Sequence, residues 1–371
     1  MGFSCGIVGL PNVGKSTIFN ALTSAKAAAQ NFPFCTIEPN TGAVPVPDPR
    51  VNKLAEIAKS EKIIPAQVTF VDIAGLIRGA SKGEGLGNQF LGHIRSVDAI
   101  AHVVRCFEND DIIHVEGSVD PIRDIETIDT ELMLSDLDAI SKLISKVEKV
   151  AKNGDKEAVA TLAICRDVEK LLSSGKPARL AKKGDQPEEV FVKVMGSLLT
   201  AKPVVFVANV NEGDVARTPV PGGPRPADRV VDFAAKNGAS VVLISGQIES
   251  EISELPPAER SSYLKDIGLE ASGLDRLALA GYQALGLMTF FTVGPKESHA
   301  WTAPIGTMAP QCAGKIHTDF EKGFIRAEVI AYADYVTHGG EVKARDAGKL
   351  RTEGSTYVMA DGDIVHFRFN V

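Results

Sequence analysis

Gly9-Leu10-Pro11-Asn12-Val13-Gly14-Lys15-Ser16-Thr17 follows the short apolar run Cys5 to Gly9 and leads into a helix-compatible stretch. The spacing satisfies G-x-x-x-x-G-K-[ST] in the strand, loop, helix context that gives the pattern its meaning. Glycines let backbone N–H groups close around phosphate oxygens, and the helix N-terminus adds its positive end. Lys15 supplies a compact cation for the β and γ phosphates, and Ser16 is placed to ligate Mg2+. Asn12, Val13, Gly14, Lys15, Ser16 and Thr17 are therefore the expected phosphate-site residues.

Such a loop needs a carboxylate at the end of a neighbouring strand. Val68 to Ile73 supplies it, ending in Asp72-Ile73-Ala74-Gly75. Asp72 would hold the metal through water, and Gly75 is free to bring its N–H towards a γ-phosphate. Between the two motifs lies Phe32-Pro33-Phe34-Cys35-Thr36, where Thr36 is placed to complete the Mg2+ shell. Further short apolar runs, Ile100 to Cys106, Val204 to Asn209 and Val241 to Ser245, read as buried strands alternating with helices. The pattern predicts an α/β core with a mostly parallel sheet covered on both faces.

The base reader departs from that of a GTPase. Where N-K-x-D reads guanine, this chain has Asn209-Val210-Asn211-Glu212. An apolar Val replaces the Lys and a longer Glu the Asp, so guanine specificity should be weak and adenine accepted. Directly after D-x-x-G, where Ras-like enzymes hold water with Gln, stands Leu76. Hydrolysis is then slow or helped from elsewhere.

Two further segments have different textures. From Ile125 to Val147 apolar residues recur at steps of three and four, and two more periodic stretches follow, around Val159 to Leu172 and Val190 to Leu199. At roughly 75 residues this is too long for one cross-over, so it reads as antiparallel helices inserted into the core. Lys170, Lys176, Arg179, Lys182 and Lys183 are expected near the tip of that arm, as a patch able to attract RNA phosphates. Thr218 to Arg229, with four prolines, reads as a surface loop. From about Gly286, strand candidates Met288 to Val293, Phe324 to Tyr332 and Ile364 to Asn370 indicate a small separate domain.

Composition bounds the rest. The 371 residues are 44% hydrophobic and 23% charged with a net charge of −7, which disfavours DNA and any nucleic acid not met by a local basic patch. Five scattered cysteines, none spaced as CxxC, suggest neither a disulfide framework nor zinc. No apolar run is long enough to span a membrane, and the start of the chain lacks a basic region before its first strand, so a reducing cytoplasm is expected.

Taken together, the phosphate loop, Phe34 to Asn40, Asp72 to Ala80, Asn209 to Glu212 and the C-terminal Gly314-Lys315-Ile316-His317-Thr318-Asp319-Phe320-Glu321-Lys322-Gly323-Phe324 resemble the YchF family of Obg-like ATPases. The resemblance spans essentially the whole chain. It implies a P-loop, G-domain-like core at 1–123 and 201–285, a coiled-coil arm at 124–200, and a C-terminal α+β, β-grasp TGS domain at 286–371. It also implies ATP preferred over GTP, a K+ ion beside Asn12, His114 as the catalytic residue, and the ribosome with its RNA as partner. Without the family, His114 is a histidine in a polar loop just past a core strand, where a neutral imidazole is able to orient water. A non-catalytic ribosome-binding module with ATP as structural ligand is the competing reading, favoured by Leu76.

Overall fold

The computed structural model describes residues 3–28, 40–74, 86–109, 111–112, 114–115 and 117–370. Cys35, Thr36, Gly75 and Leu76 lie outside the described residues. The chain is a mixed α/β protein built on a P-loop domain.

Its main sheet has six strands in the order β2-β4-β1-β5-β6-β7. β1 is Ser4–Val8, β2 Thr41–Pro45, β4 Gln67–Asp72, β5 Ala99–Arg105, β6 Val204–Asn209 and β7 Ser240–Ile244. Every neighbour pair is parallel except β2 with β4. β5 and β6 are buried along their whole length, which is why they read as unbroken apolar runs. The chain winds to one side of β1 and then to the other. The carboxyl end of β1 is therefore the switch point at which open α/β sheets bind ligands, and the phosphate loop leaves the sheet there, entering helix α1, Lys15–Ala28.

After β5 the chain leaves the sheet in α4, Pro121–Lys152, whose 32 residues span about 48 Å. Asp120 caps it, accepting from the Ile122 and Arg123 amides, and Pro121 fixes its first turn. The helix thus begins three residues before the expected boundary of the arm, and Ile125, Ile128 and Leu132 pack in the main core. Gly154, at φ 83°, turns the chain back into α5, Lys156–Ser173, and α6, Glu188–Met195, packs on α5. Ile140, Ile164, Cys165, Val168, Leu172 and Val194 give these helices a core of their own.

This geometry overturns the expected basic tip. The far end of the hairpin is the turn 153–155, and α5 runs back, so 170–180 lies on the side of the core, while Lys182 and Lys183 lie along α5 beside Ile164 and Asp167. The Arg179 side chain is largely shielded from solvent, its Nε donating to the Asn237 carbonyl at 3.1 Å and its guanidinium 3.7 Å from Asp129. The Pro-rich segment also differs from expectation. Helix α7 occupies Pro226–Lys236, with Pro226 at its first position and Asp228 accepting from the Val220 and Arg225 amides.

The C-terminal sheet runs β11-β10-β12-β8-β9-β3. β8 is Leu287–Val293, β9 Glu297–Pro304, β10 Phe324–Ala331, β11 Arg351–Glu353 and β12 Asp363–Phe369. Its outer strand, β3, is Lys62–Ile64, which pairs in parallel with Glu297 to His299. Helix α2, Pro49–Ala58, leads into β3, and Arg50 on it meets Asp361 at 2.6 Å. The expected self-contained unit 286–371 therefore borrows an edge strand from the first quarter of the chain. Among the described residues no helix is long and apolar enough to cross a membrane.

Candidate nucleotide site

The loop between β1 and α1 needs two left-handed backbone positions, Asn12 at φ 63° and Gly14 at φ 93°. Asn12 tolerates this conformation; Gly14 has a second constraint, because a Cβ there would collide with the Asn209 amide. Asn209, at the end of β6, is buried and ties three segments together. Its Nδ2 donates to the Val13 carbonyl at 2.9 Å, and its Oδ1 accepts from the Gly246 amide at 3.0 Å. It acts here as a clamp between the phosphate loop and the next binding loop.

The loop borders a cavity of about 820 Å³. Asn12, Gly14, Lys15, Ser16 and Thr17 line one side; Asn209, Val210, Asn211, Glu212 and Gly213 line another, with Ser245, Gly246 and Gln247 beside them. The volume falls in the range of small-molecule and cofactor sites. Val210 is buried and held by a 2.8 Å bond from its amide to the Ile244 carbonyl, while Glu212 is exposed at the rim, opening a short 3-10 turn. The sequence-expected residues on both sides thus converge on one cavity, with Val13 contributing its carbonyl to the clamp.

Lys15 contacts Asp72, and both side chains are largely shielded from solvent. The cation resting on this carboxylate shows that the end of β4 attracts positive charge beside the loop. A hydroxyl at Ser16 and a carboxylate at Asp72 are hard oxygen donors suited to Mg2+, which typically keeps waters and phosphate oxygens in its shell. Among the described residues there is no cluster of three or more His, Cys, Asp or Glu able to hold a metal by itself. The donor set therefore fits a cation that arrives with phosphates.

The third wall was not anticipated. Phe107, Asn109 and Ile112 line the cavity from the loop after β5, and that loop is organised by Arg105. Arg105 is 1% exposed; it donates to the carbonyls of Phe107 at 3.2 Å, Ile112 at 3.0 Å and Asn109 at 3.1 Å, with its guanidinium 4.7 Å from the Phe107 ring. Its signal in the sequence is an Arg closing an otherwise apolar strand. His102, earlier on the same strand, is a core residue: burial, and then the Arg179 charge, push its pKa down to about 3, so the ring is neutral.

His114 is not among the residues that line the cavity. It is buried, with Nε2 2.8 Å from Oδ2 of Asp124 in the first turn of α4. Arg123 holds the other carboxylate oxygen at 3.2 Å. The histidine expected in a polar loop past β5 is instead bonded to the root of the arm. Thr36 and Gly75, the remaining expected site residues, lie outside the described residues.

Helix α8, Gly246–Glu254, carries a buried carboxylate just behind the cavity. Glu249 accepts from the Gly273 amide at 2.7 Å, capping α10, Gly273–Ala284. Burial raises its pKa from the ordinary 4.5 to about 7, against the lowering effect of those amides. Between these values the folded state holds a proton that the unfolded chain releases. Stability from this group is therefore full below pH 4.5 and is lost as pH rises through 7. The wild type should lose up to about 3 kcal/mol relative to Glu249→Gln between pH 4.5 and 8. Urea unfolding of both proteins at the two pH values measures the difference; parallel stabilities would refute the assignment.

A family model described as 50S ribosome-binding GTPase matches residues 4–157, and a second, YchF-GTPase_C, described as a protein of unknown function, matches 287–370. The chain is 55% identical over 371 residues to the ribosome-binding ATPase YchF of Haemophilus influenzae, with all of both chains covered. It is 54% identical to the protein of that name from Escherichia coli O157:H7, again over the full length of both. The solved structure of the Schizosaccharomyces pombe YchF GTPase superposes with a TM-score of 0.86 at 38% identity, covering 99% of this chain and 98% of that one.

Proposed function

We propose a function from the fact that this chain belongs to the YchF family: it is a ribosome-associated ATPase that binds ATP in preference to GTP, hydrolyses it slowly, and uses the bound nucleotide as a switch. The observation that carries the reading is the convergence of the phosphate loop, Lys15, Ser16 and the Asn209 clamp on one cavity, with Asp72 reaching the site through its contact with Lys15. Names among the relatives divide between ATPase and GTPase, so the choice of base rests on the site itself. Val210 and Glu212 stand where guanine readers carry Lys and Asp, and a site built to pair with a base rejects the wrong one only when its buried polar groups match.

In this reading Lys15 and the loop amides hold the β and γ phosphates, and Ser16, Thr36 and water-bound Asp72 hold Mg2+, which neutralises charge developing on the phosphoryl oxygens. Gly75 approaches the γ-phosphate, and Asn12 is the residue for a K+ ion. With Leu76 unable to hold water, His114 is the candidate catalytic residue. The arm at 124–200 and the C-terminal sheet, read as a TGS β-grasp domain, face the ribosome and its RNA, in the cytoplasm.

Calorimetric titration should show ATP binding at least about tenfold tighter than GTP, a difference of about 1.4 kcal/mol. Tight GTP binding with no response to ATP would overturn the base assignment. His114 turned onto Asp124 favours the second reading, a binding module that keeps ATP as a structural ligand. ADP production with and without ribosomes separates the two: no turnover under either condition supports the module.

A further inference from the structure

The loop carrying His114 has two anchors on opposite sides. Arg105 fixes its first half from the end of β5, shaping the cavity wall at Phe107, Asn109 and Ile112. Asp124 fixes its second half from α4, and Asp124 belongs to the arm: four residues after the cap, it sits in the first turn of a helix of about 48 Å. The bond between Nε2 and Oδ2 ties the imidazole to the arm. Both side chains are at most 4% exposed, so this bond is shielded from competing water. Arg123 on Oδ1 keeps the carboxylate in place. A second tie, Arg229 of α7 to Asp120 at 3.1 Å, marks where the base of α4 rests on the core.

We propose that Asp124 is a positioning residue acting through His114: it holds the imidazole away from the nucleotide cavity, and a tilt of α4 releases it. The inference rests on the reading of His114 as the catalytic group. It adds the control of that group, because a partner that moves the arm moves the acceptor of the His114 bond. The coupling is short and local, a loop and one helix turn, and has two discrete arrangements, bonded and released. A partner favouring the released form raises turnover by the population it shifts and leaves ATP affinity nearly unchanged.

The test compares wild type, Asp124→Asn, His114→Ala and the double variant for ATP turnover and KM, with and without ribosomes. Asp124→Asn keeps the shape but removes the charge from the acceptor. Ribosome-free turnover should rise on the order of five- to tenfold, with KM within about twofold, and stimulation by ribosomes should shrink by the same factor. The double variant should fall to the rate of His114→Ala. If His114→Ala alone is slow but Asp124→Asn is no faster than wild type, the restraint is refuted and the catalytic reading survives. If His114→Ala turns over at the wild-type rate, the catalytic reading fails and the restraint with it. Should Asp124→Asn not fold, imidazole 15N spectra of wild type decide: Nε2 of His114 should lose its carboxylate-bonded signature when Mg2+, ADP and aluminium fluoride are added, and an unchanged signal would refute the proposal.

Discussion

Gly14→Ala should weaken nucleotide binding at least about a hundredfold while the protein stays folded. Two costs act on the same atom. At φ 93° an alanine enters a conformation that L residues rarely adopt, at about 1–2 kcal/mol. The added methyl also collides with Nδ2 of Asn209, which is engaged with the Val13 carbonyl and cannot retreat without releasing the loop. Losing the two Asn209 bonds removes about 1 kcal/mol each. The sum, about 3–4 kcal/mol against the binding-competent loop, corresponds to a loss of affinity of a hundredfold or more. Calorimetry with ATP measures it. Gly92→Ala is the control: that glycine lies in helix α3, Leu86–Ser96, with open space at its Cβ, and should leave affinity unchanged while raising stability by about 0.5–1 kcal/mol through the better helix propensity of alanine. Near-wild-type ATP binding by Gly14→Ala would show that the loop does not hold the nucleotide in the conformation described.

The parts of this molecule that were legible in the sequence are those set by local chemistry. β1, β4, β5 and β7 begin one residue earlier than their apolar runs suggested, and β6 agrees at both ends; β5 and β6, buried on both faces, leave an uninterrupted apolar signature. The phosphate loop was legible because its spacing carries its mechanism. What was missed depends on partners far away in sequence. β3 is only Lys-Ile-Ile, and nothing local says that it pairs with Glu297 to His299. Arg105 is buried by the loop it organises, and nothing local in its apolar strand announces that role. Arg179 was counted in a charged patch because a run of cations looks solvated whether it lies at a tip or a root; the direction of α5 decided which. His114 was placed correctly in the chain, but its partner, ten residues on, belongs to a different structural unit.

The division between core and arm makes a second large effect separable from the first. Asp136, in the middle of α4, is 1% exposed and accepts from the amides of Leu199 and Thr200, each at 2.8 Å, and from the Thr200 hydroxyl at 2.7 Å. That hydroxyl in turn accepts from the Ala178 amide, and the Thr200 carbonyl accepts from Arg179. One carboxylate therefore closes the far end of the insertion onto its beginning. Burial raises its pKa, and the Thr200 and Leu199 bonds oppose the shift. Asp136→Ala leaves two buried amides without acceptors, and should destabilise the arm root by about 3–5 kcal/mol. Asp136→Asn, which retains one acceptor oxygen, should lose less. The phosphate loop and the Asn209 clamp touch none of these groups, so ATP affinity should stay within about twofold while limited proteolysis cuts the arm first. If the arm is the part that engages a ribosome, the same variant should bind nucleotide normally and lose stimulation by ribosomes. Loss of ATP binding in parallel with arm cleavage would instead show that the arm and the nucleotide domain fold as one cooperative unit.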